Sequence, residues 1–270
     1  MPERPVILLP PSEGKRPGGD GPAWSAGSCS FPILNAARKK VITALLAAMR
    51  APENDRAKLL SVKGSALAAS TATNRGVRRS PTTAAIDRYD GVLYDALDAV
   101  SLPKRARSRL DSDVVIFSGL FGAVMPGDPI PDYKLKMGGA LPGVGNVSLL
   151  WRAPLTKALS PMLDGRVLWN LLPKEHDNAW ACPTDATSRT MSVKFLDEAV
   201  RTKGQPRTFT TVNHWNKLLK GALVRFILES GADEPDALAD FAHPEGYVYD
   251  SSLTEVIDGR IVVAMVRPPR

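Results

Sequence analysis

"DVVIFSGLFGAVMPGDPIPDYKLKMGG", residues 113–139, decides how the rest of the chain is read. Its first seven residues form a short apolar run closed by Gly119, the pattern of a strand buried on both faces. From Ser118 onward prolines and glycines interrupt any helix or strand period, so 118–139 is expected to be an irregular loop. A connection of that length is uncommon unless it carries a function or folds on itself as an Ω-type loop. Within it, Asp128 and Asp132 flank Pro-Ile-Pro. In an extended Tyr133-Lys134-Leu135-Lys136, Tyr133 and Leu135 face one way and Lys134 and Lys136 the other. Two lysines on one face suit phosphate, and they equally suit plain solvation.

Two more apolar runs frame this segment. "RVLWNLL" (166–172) reads as a buried strand and leads into "NLLPKEHDNAW" (170–180), which brings Lys174, Glu175 and His176 together. No spacing gives His176 a partner, and it reads as a surface histidine. Pro5 to Leu9 reads as another buried strand and runs into "LLPPSEGK" (8–15). Neither proline has an N–H for a strand ladder, so the chain leaves the core there. Ser12, Glu13, Gly14 and Lys15 then offer a hydroxyl, a carboxylate, a flexible backbone and an ammonium. Ligands gather at strand exits in folds of this kind, so the turn is open to anion binding, to acid–base chemistry, or to mere solvation.

Outward from these strands, "RTFTTVN" (207–213) alternates like a half-exposed strand. "LTEVIDGRIVVAMV" (253–266) places Asp258-Gly259 between two β-rich runs, a strong hairpin signal. Helical patterns cover 35–50, with Asn35 as cap and Pro52 as stop, and also 82–100, 147–163, 189–202 and 213–230. Residues 56–73 form a helical pattern broken at "VKGS", and residues 13–32 read as a long surface loop. This mixture of strands and helices, ending in a β-hairpin, predicts one α+β domain over 1–270, a mixed sheet surrounded by helices.

The 213–230 helix has a buried stripe of Trp215, Leu218, Leu219, Ala222, Leu223, Phe226 and Ile227. Asn213, Lys217, Gly221 and Arg225 form a second row, with Lys220 beside Lys217. Gly221 weakens the helix, by roughly 1 kcal/mol relative to alanine. Close approach of a backbone or phosphate would explain it, and so, equally, would tight packing. "VKGS" resembles the turn of a helix-hairpin-helix, whose glycine-containing turn offers N–H groups to a DNA phosphate. "HPEGYVYDSS" (243–252) sets Glu245, Tyr247 and Tyr249 ahead of Asp250, the tyrosines on one face.

Composition narrows the function classes. The chain has 270 residues, 44% hydrophobic and 23% charged, as expected of a globular protein, and a formal net charge of +7. That charge favours anionic partners without defining a fold. Cys29 and Cys182 stand far apart, with no zinc spacing and no disulfide framework. His176, His214 and His243 lack ligand spacing too, so no metal site is expected. No signal-peptide pattern and no apolar run of about 20 residues occurs, which points to a cytoplasmic protein with no membrane partner. There is no GxxxxGKS, GxGxxG or GxSxG, which argues against common kinases, dinucleotide enzymes and serine hydrolases.

Taken together, "LLPPSEGK", "YDGVLYDAL" (89–97), "FSGLFGAVMPGDPIPDYKLKMG" (117–138), "NLLPKEH" (170–176), "KLLKGALVRFIL" (217–228) and "PEGYVYD" (244–250) resemble the YaaA family of peroxide stress proteins. The blocks keep the family's order over nearly the whole chain. About 70–83 and the tryptophan-rich 169–180 are less typical. The resemblance implies a single domain of unusual topology with a positively charged cleft and a helix-hairpin-helix-like element within 56–73. It also implies DNA binding, a role in limiting free iron and DNA damage under hydrogen peroxide, and no metal or redox cofactor. Carried onto this chain, the anion-binding residues are Ser12, Lys15, Tyr133, Lys134, Lys136, Lys217, Lys220 and Arg225, with Lys63 and Gly64 in the hairpin. Position 134 is lysine where the family often has arginine, which keeps the charge and loses a bidentate phosphate contact.

Two function classes follow. In the first, the protein binds duplex or branched DNA through phosphates, with little sequence preference. In the second, the same cleft belongs to an enzyme acting on a nucleotide, nucleoside or similar small anion, for example by glycosidic bond cleavage. Ser12, Glu13, Tyr133, Glu175, Lys220, Glu245 and Asp250 are then the catalytic candidates, since a phosphate clamp alone has no use for so many carboxylates. A basic scaffold that only meets other proteins has no feature in its favour.

Overall fold

A computed structural model describes residues 4–183, 187–200, 204–212 and 216–269. Nine strands form the main sheet: β1 (Val6–Leu9), β2 (Val114–Ser118), β3 (Gly122–Val124), β4 (Arg166–Asn170), β5 (Thr187–Glu198), β6 (Phe209–Thr211), β7 (Val248–Tyr249), β8 (Glu255–Ile257) and β9 (Arg260–Arg267). Their order is β7-β9-β5-β4-β1-β2-β3, with β6 paired to β5 and β8 to β9. β1 lies parallel to β4 on one side and to β2 on the other, in register Leu8 with Asn170 and with Val115. Every residue of β1 and β2 is buried, which is why both read as unbroken apolar runs rather than alternating ones. β5 and β9 extend the parallel core, while β3, β6, β7 and β8 pair antiparallel. The sheet is mixed, as the sequence predicts. Asp258 and Gly259 both have positive φ, 50° and 74°, and close the β8–β9 hairpin.

Nine helices accompany the strands among the described residues: α1 (Asn35–Ala48), α2 (Glu53–Leu60), α3 (Gly64–Gly76), α4 (Ala85–Arg88), α5 (Val92–Leu97), α6 (Lys104–Asp113), α7 (Val147–Leu163), α8 (Lys174–Asp177) and α9 (Asn216–Ser230). α1 packs on α7, which meets β3 and β4, while α5, α6 and α9 pack together. The contact of α5 with α9 explains Gly221. A β-carbon there would overlap the Leu93 carbonyl oxygen and press on Ala96. Close helix packing, not a phosphate, requires the glycine.

Several sequence expectations need correction. The helix expected at 189–202 is β5, whose wholly buried Met191 lies between β4 and β9 and whose wholly buried Phe195 pairs with β9 on one side and accepts from the Val212 amide on the other. Pairing on both edges outweighs local propensity there. The helix expected at 82–100 is broken into a strand (Pro81–Ala84), α4, a two-residue strand (Tyr89–Asp90) and α5. Gly91, at φ 133°, turns the chain between the last two. The loop expected at 13–32 contains Gly14–Lys15, paired antiparallel with Tyr89–Asp90. The loop at 118–139 turns straight back on β2 as β3, then pairs Pro129–Ile130 with the 81–84 strand. Asn35 is the first residue of α1 rather than its cap, and Pro52 precedes α2. The 56–73 pattern resolves into α2 and α3, separated by Ser61 and Gly64 at φ 55° and 57°. Asn213, His214 and Trp215 lie outside the described residues.

Candidate functional site

From β1 the chain goes to β2 on one side of the sheet and later returns to β4 on the other. Strand order therefore reverses at β1, and the loops leaving β1, β2 and β4 diverge around a crevice at their carboxyl ends, the general ligand position in such sheets. Those segments are residues 10–15, 119–139 (which includes β3) and 171–176. They are the "SEGK", "DPIPDYKLKMGG" and "LLPKEH" segments, brought together.

Two buried arginines make the long loop rigid. Arg38 donates to the carbonyls of Phe121 (3.0 Å), Ala123 (2.8 Å) and Ser30 (2.8 Å). Arg88 donates to those of Ile130 (3.2 Å), Gly18 (2.7 Å) and Arg16. Asp128 accepts from the Ser30 and Met125 amides at 3.0 and 2.9 Å. These bonds satisfy backbone groups that a loop with little regular ladder would otherwise bury unpaired.

Tyr133 and Leu135 point inward and are buried, while Lys134 and Lys136 point to the crevice, as the alternation predicts. The Tyr133 hydroxyl shares hydrogen bonds with Ser118 Oγ (2.7 Å) and Tyr89 Oη (2.9 Å). Burial pushes its pKa up to about 12, so it stays protonated. Asn74, on α3, brackets the Lys134 backbone: its Nδ2 donates to the carbonyl (2.9 Å) and its Oδ1 accepts from the amide (2.8 Å). Both lysine ammoniums converge on Glu13, at 3.3 and 3.6 Å. Desolvation would raise the Glu13 pKa, but Lys134 and Lys136 outweigh it and hold the carboxyl below its ordinary value.

Lys15 lies deepest. Its Nζ donates to the Ser12 carbonyl at 3.0 Å and sits 4.3 Å from the centre of the Tyr133 ring and 5.4 Å from that of Tyr89. Desolvation brings its pKa down to about 8, against the opposing fields of Asp132 and Glu13. The Ser12 hydroxyl donates to the Asp90 carbonyl and closes the turn. Glu175 Oε1 accepts from the Gly138 amide at 2.6 Å. His176 corrects the surface reading. It is half-buried in the crevice wall, burial pushes its pKa down to about 4, and its Nδ1 has no hydrogen-bond partner among the described residues. The imidazole is therefore neutral at pH 7.

Around these groups lie three hollows with shared walls. A small one of about 70 Å³ holds Lys15, Tyr133, Lys134, Lys136, Glu175 and His176. A larger one of about 520 Å³ runs from Lys136 and Glu175 to Asp55, Lys58 and Ser61 on the α2 side. A third of about 250 Å³ links Lys15 and Asp132 to Ala69, Ser70 and Thr73 of α3. Cations and carboxylates interleave along the crevice: Lys15, Lys58, Lys134 and Lys136 against Glu13, Asp55, Asp132 and Glu175.

Other sequence candidates lie elsewhere. Lys63 and Gly64 are exposed in the α2–α3 turn, which adjoins the largest hollow through Ser61. Lys217 is exposed on α9. Lys220 donates to the Leu171 carbonyl at 3.0 Å, and desolvation lowers its pKa to about 8. Arg225 is not free for an anion: it donates to the Asp98 carbonyl and Ser101 Oγ, both at 3.0 Å, and pairs with Glu229. Glu245 and Asp250 flank β7 at the far edge of the sheet, facing Arg267 (4.0 Å) and Arg207 (2.7 Å). Four strand steps separate β7 from β1, roughly 19 Å. Asn74, Tyr89, Ser118 and Arg88 form part of the site's frame without any motif of their own. Tyr89 and Ser118 alone had a signal, as members of the "YDGVLYDAL" and "FSGLFGAVMPGDPIPDYKLKMG" blocks.

Among the described residues no three His, Cys, Asp or Glu side chains are grouped to hold a metal ion, and no helix is long and apolar enough to cross a membrane. Residues 6–253 match the family described as peroxide stress protein YaaA. The chain is 34% identical over 244 residues to a UPF0246 protein of Streptomyces coelicolor, covering 90% of each. It is 34% identical over 259 residues to a UPF0246 protein of Corynebacterium efficiens, covering 94% of this chain and 96% of that one. A UPF0246 protein of Flavobacterium johnsoniae is 31% identical over 179 residues, 63% of this chain and 66% of its own. With that match spanning the three loops that build the crevice, the chain belongs to the peroxide stress protein YaaA family.

Proposed function

We propose that this protein binds DNA through the α2–α3 hairpin and receives a single nucleotide unit in the adjoining crevice. One observation carries the reading: residues of the hairpin form walls of the hollows that also contain Lys15, Lys134 and Lys136. The turn Ser61–Ser65 is solvent-facing, and α3 begins at Gly64 with no side-chain cap on its first amides. Uncapped helix N-termini accept phosphate oxygens, and Lys63 adds a charge beside them. The formal charge of +7 favours the encounter.

A second reading, an enzyme for a free mononucleotide-like anion, has its own support. Glu13 already pairs with Lys134 and Lys136. A clamp for polyanion has no need of that carboxylate, whereas acid–base chemistry does.

Fluorescence anisotropy with a labelled duplex across a salt series, with AMP as competitor, separates the two. DNA binding predicts that log K falls with log salt at a slope near −0.9 per phosphate contact. Lys63→Glu then lowers affinity about tenfold and makes the slope shallower by about one. Weak, salt-insensitive DNA binding that AMP displaces supports the small-substrate reading instead. Neither DNA nor AMP binding overturns both.

A further inference from the structure

We propose that Lys15 is a nucleophilic amine that forms an imine with the aldehyde of a phosphorylated sugar held in the crevice. The inference rests on the reading that the crevice receives a nucleotide unit, and it goes further by naming a covalent chemistry.

The position of Nζ argues for it. The ammonium lines the hollow against two tyrosine faces, and among the described residues its single hydrogen bond goes to the Ser12 carbonyl. Among the described residues no carboxylate comes within 4.0 Å of it, so no ion pair holds the proton in place. A structural lysine of similar burial would normally be paired. Desolvation lowers its pKa to about 8, so at pH 7.5 about a quarter of the molecules hold a free amine, against about one in a thousand for an ordinary lysine. Nucleophilic lysines are activated by desolvation, which here prevails over the raising fields of Asp132 and Glu13, themselves countered by Lys134 and Arg88.

The surroundings supply the remaining parts. Lys134 and Lys136 line the same hollow and present ammoniums for the phosphate. Glu13 lies between them, ionised at neutral pH, where it can move a proton. In the step, the Nζ lone pair attacks the aldehyde carbon, a C–N bond forms, and the carbonyl π pair moves to oxygen. A proton released from nitrogen reaches that oxygen through Glu13. The hydroxyl, protonated again, leaves as water while the nitrogen pair closes the C=N bond. In sum, R–NH3⁺ and O=CH–R′ give R–NH⁺=CH–R′ and water.

The aldehyde has two sources, an abasic deoxyribose within DNA or a free sugar phosphate. The full-length protein is incubated with a duplex carrying one abasic site, with 2-deoxyribose 5-phosphate, or with glyceraldehyde 3-phosphate, each with and without sodium borohydride. Intact mass and peptide mapping follow. We expect a borohydride-dependent adduct on Lys15, with yield half-maximal near pH 8, lost in Lys15→Arg and kept in Lys40→Arg. Preference for the abasic duplex identifies DNA as the source, and preference for deoxyribose phosphate identifies the free sugar. Mapping of the wild-type protein needs no variant to fold. Labelling of Lys15 no stronger than that of surface lysines overturns the imine proposal. Anisotropy on the same preparation keeps the outcomes apart: an unlabelled Lys15 with intact DNA or AMP binding refutes the amine chemistry alone, and loss of all binding refutes the underlying reading.

Discussion

Lys220 carries a charge into a half-buried position and among the described residues makes one hydrogen bond, to the Leu171 carbonyl. Its pKa of about 8 lies below that of the unfolded chain, near 10.5. Between these values the unfolded chain holds a proton that the folded one has released, so stability rises with pH across that window. Below pH 8 both states are protonated and the cost of burying the charge is fully present. Lys15 adds a rise over the same window. Replacing Lys220→Met should therefore remove about half of the gain between pH 8 and 10, on the order of 2 kcal/mol. Urea midpoints at several pH values measure it, and an unchanged slope would mean that the ammonium is solvated. The motif blocks picked out Lys220, but its desolvation depends on Leu171, a residue of another loop.

At the scale of elements, the α5–α9 contact offers the sharpest test. A methyl group at Gly221 meets the Leu93 backbone, which cannot rotate away. Gly221→Ala should cost about 2–3 kcal/mol despite its better helix propensity. Gly127→Ala, with nothing within 4 Å of the added carbon, should change stability by no more than about 0.5 kcal/mol. Thermal unfolding of the two variants checks the contrast, and a stabilised Gly221→Ala would show that the helices are not in contact there. Strand character was readable where burial is two-sided and uninterrupted, as in β1 and β2. β5 was not, because its Thr187, Ser192 and Lys194 are half-buried and its conformation comes from partners 167–169 and 261–267.

Across the whole molecule, one side chain ties the hairpin to the backbone of the crevice loop by hydrogen bonds. Asn74 forms both hydrogen bonds between α3 and the Lys134 backbone, 60 residues away. Asn74→Ala leaves an amide and a carbonyl without their partners, for a loss of about 2 kcal/mol. It should also weaken DNA or AMP binding more than the stability loss alone explains, because Lys134 is no longer held against Glu13. Isothermal titration on the folded variant measures this, and unaltered affinity would disconnect α3 from the site. The sequence by itself determined the buried strands, the terminal hairpin, the break between α2 and α3, the inward and outward sides of 133–136, and the family. Each of these follows from periodicity or from local backbone chemistry, which neighbouring residues specify. Tertiary structure alone decided which charges meet. It placed Lys15 over Tyr133, paired Glu13 with two lysines 121 and 123 positions away, drew His176 into the wall, and bound Arg225 internally. A side chain's ionisation depends on solvent exclusion and on through-space fields, and those exist only once distant segments are packed together.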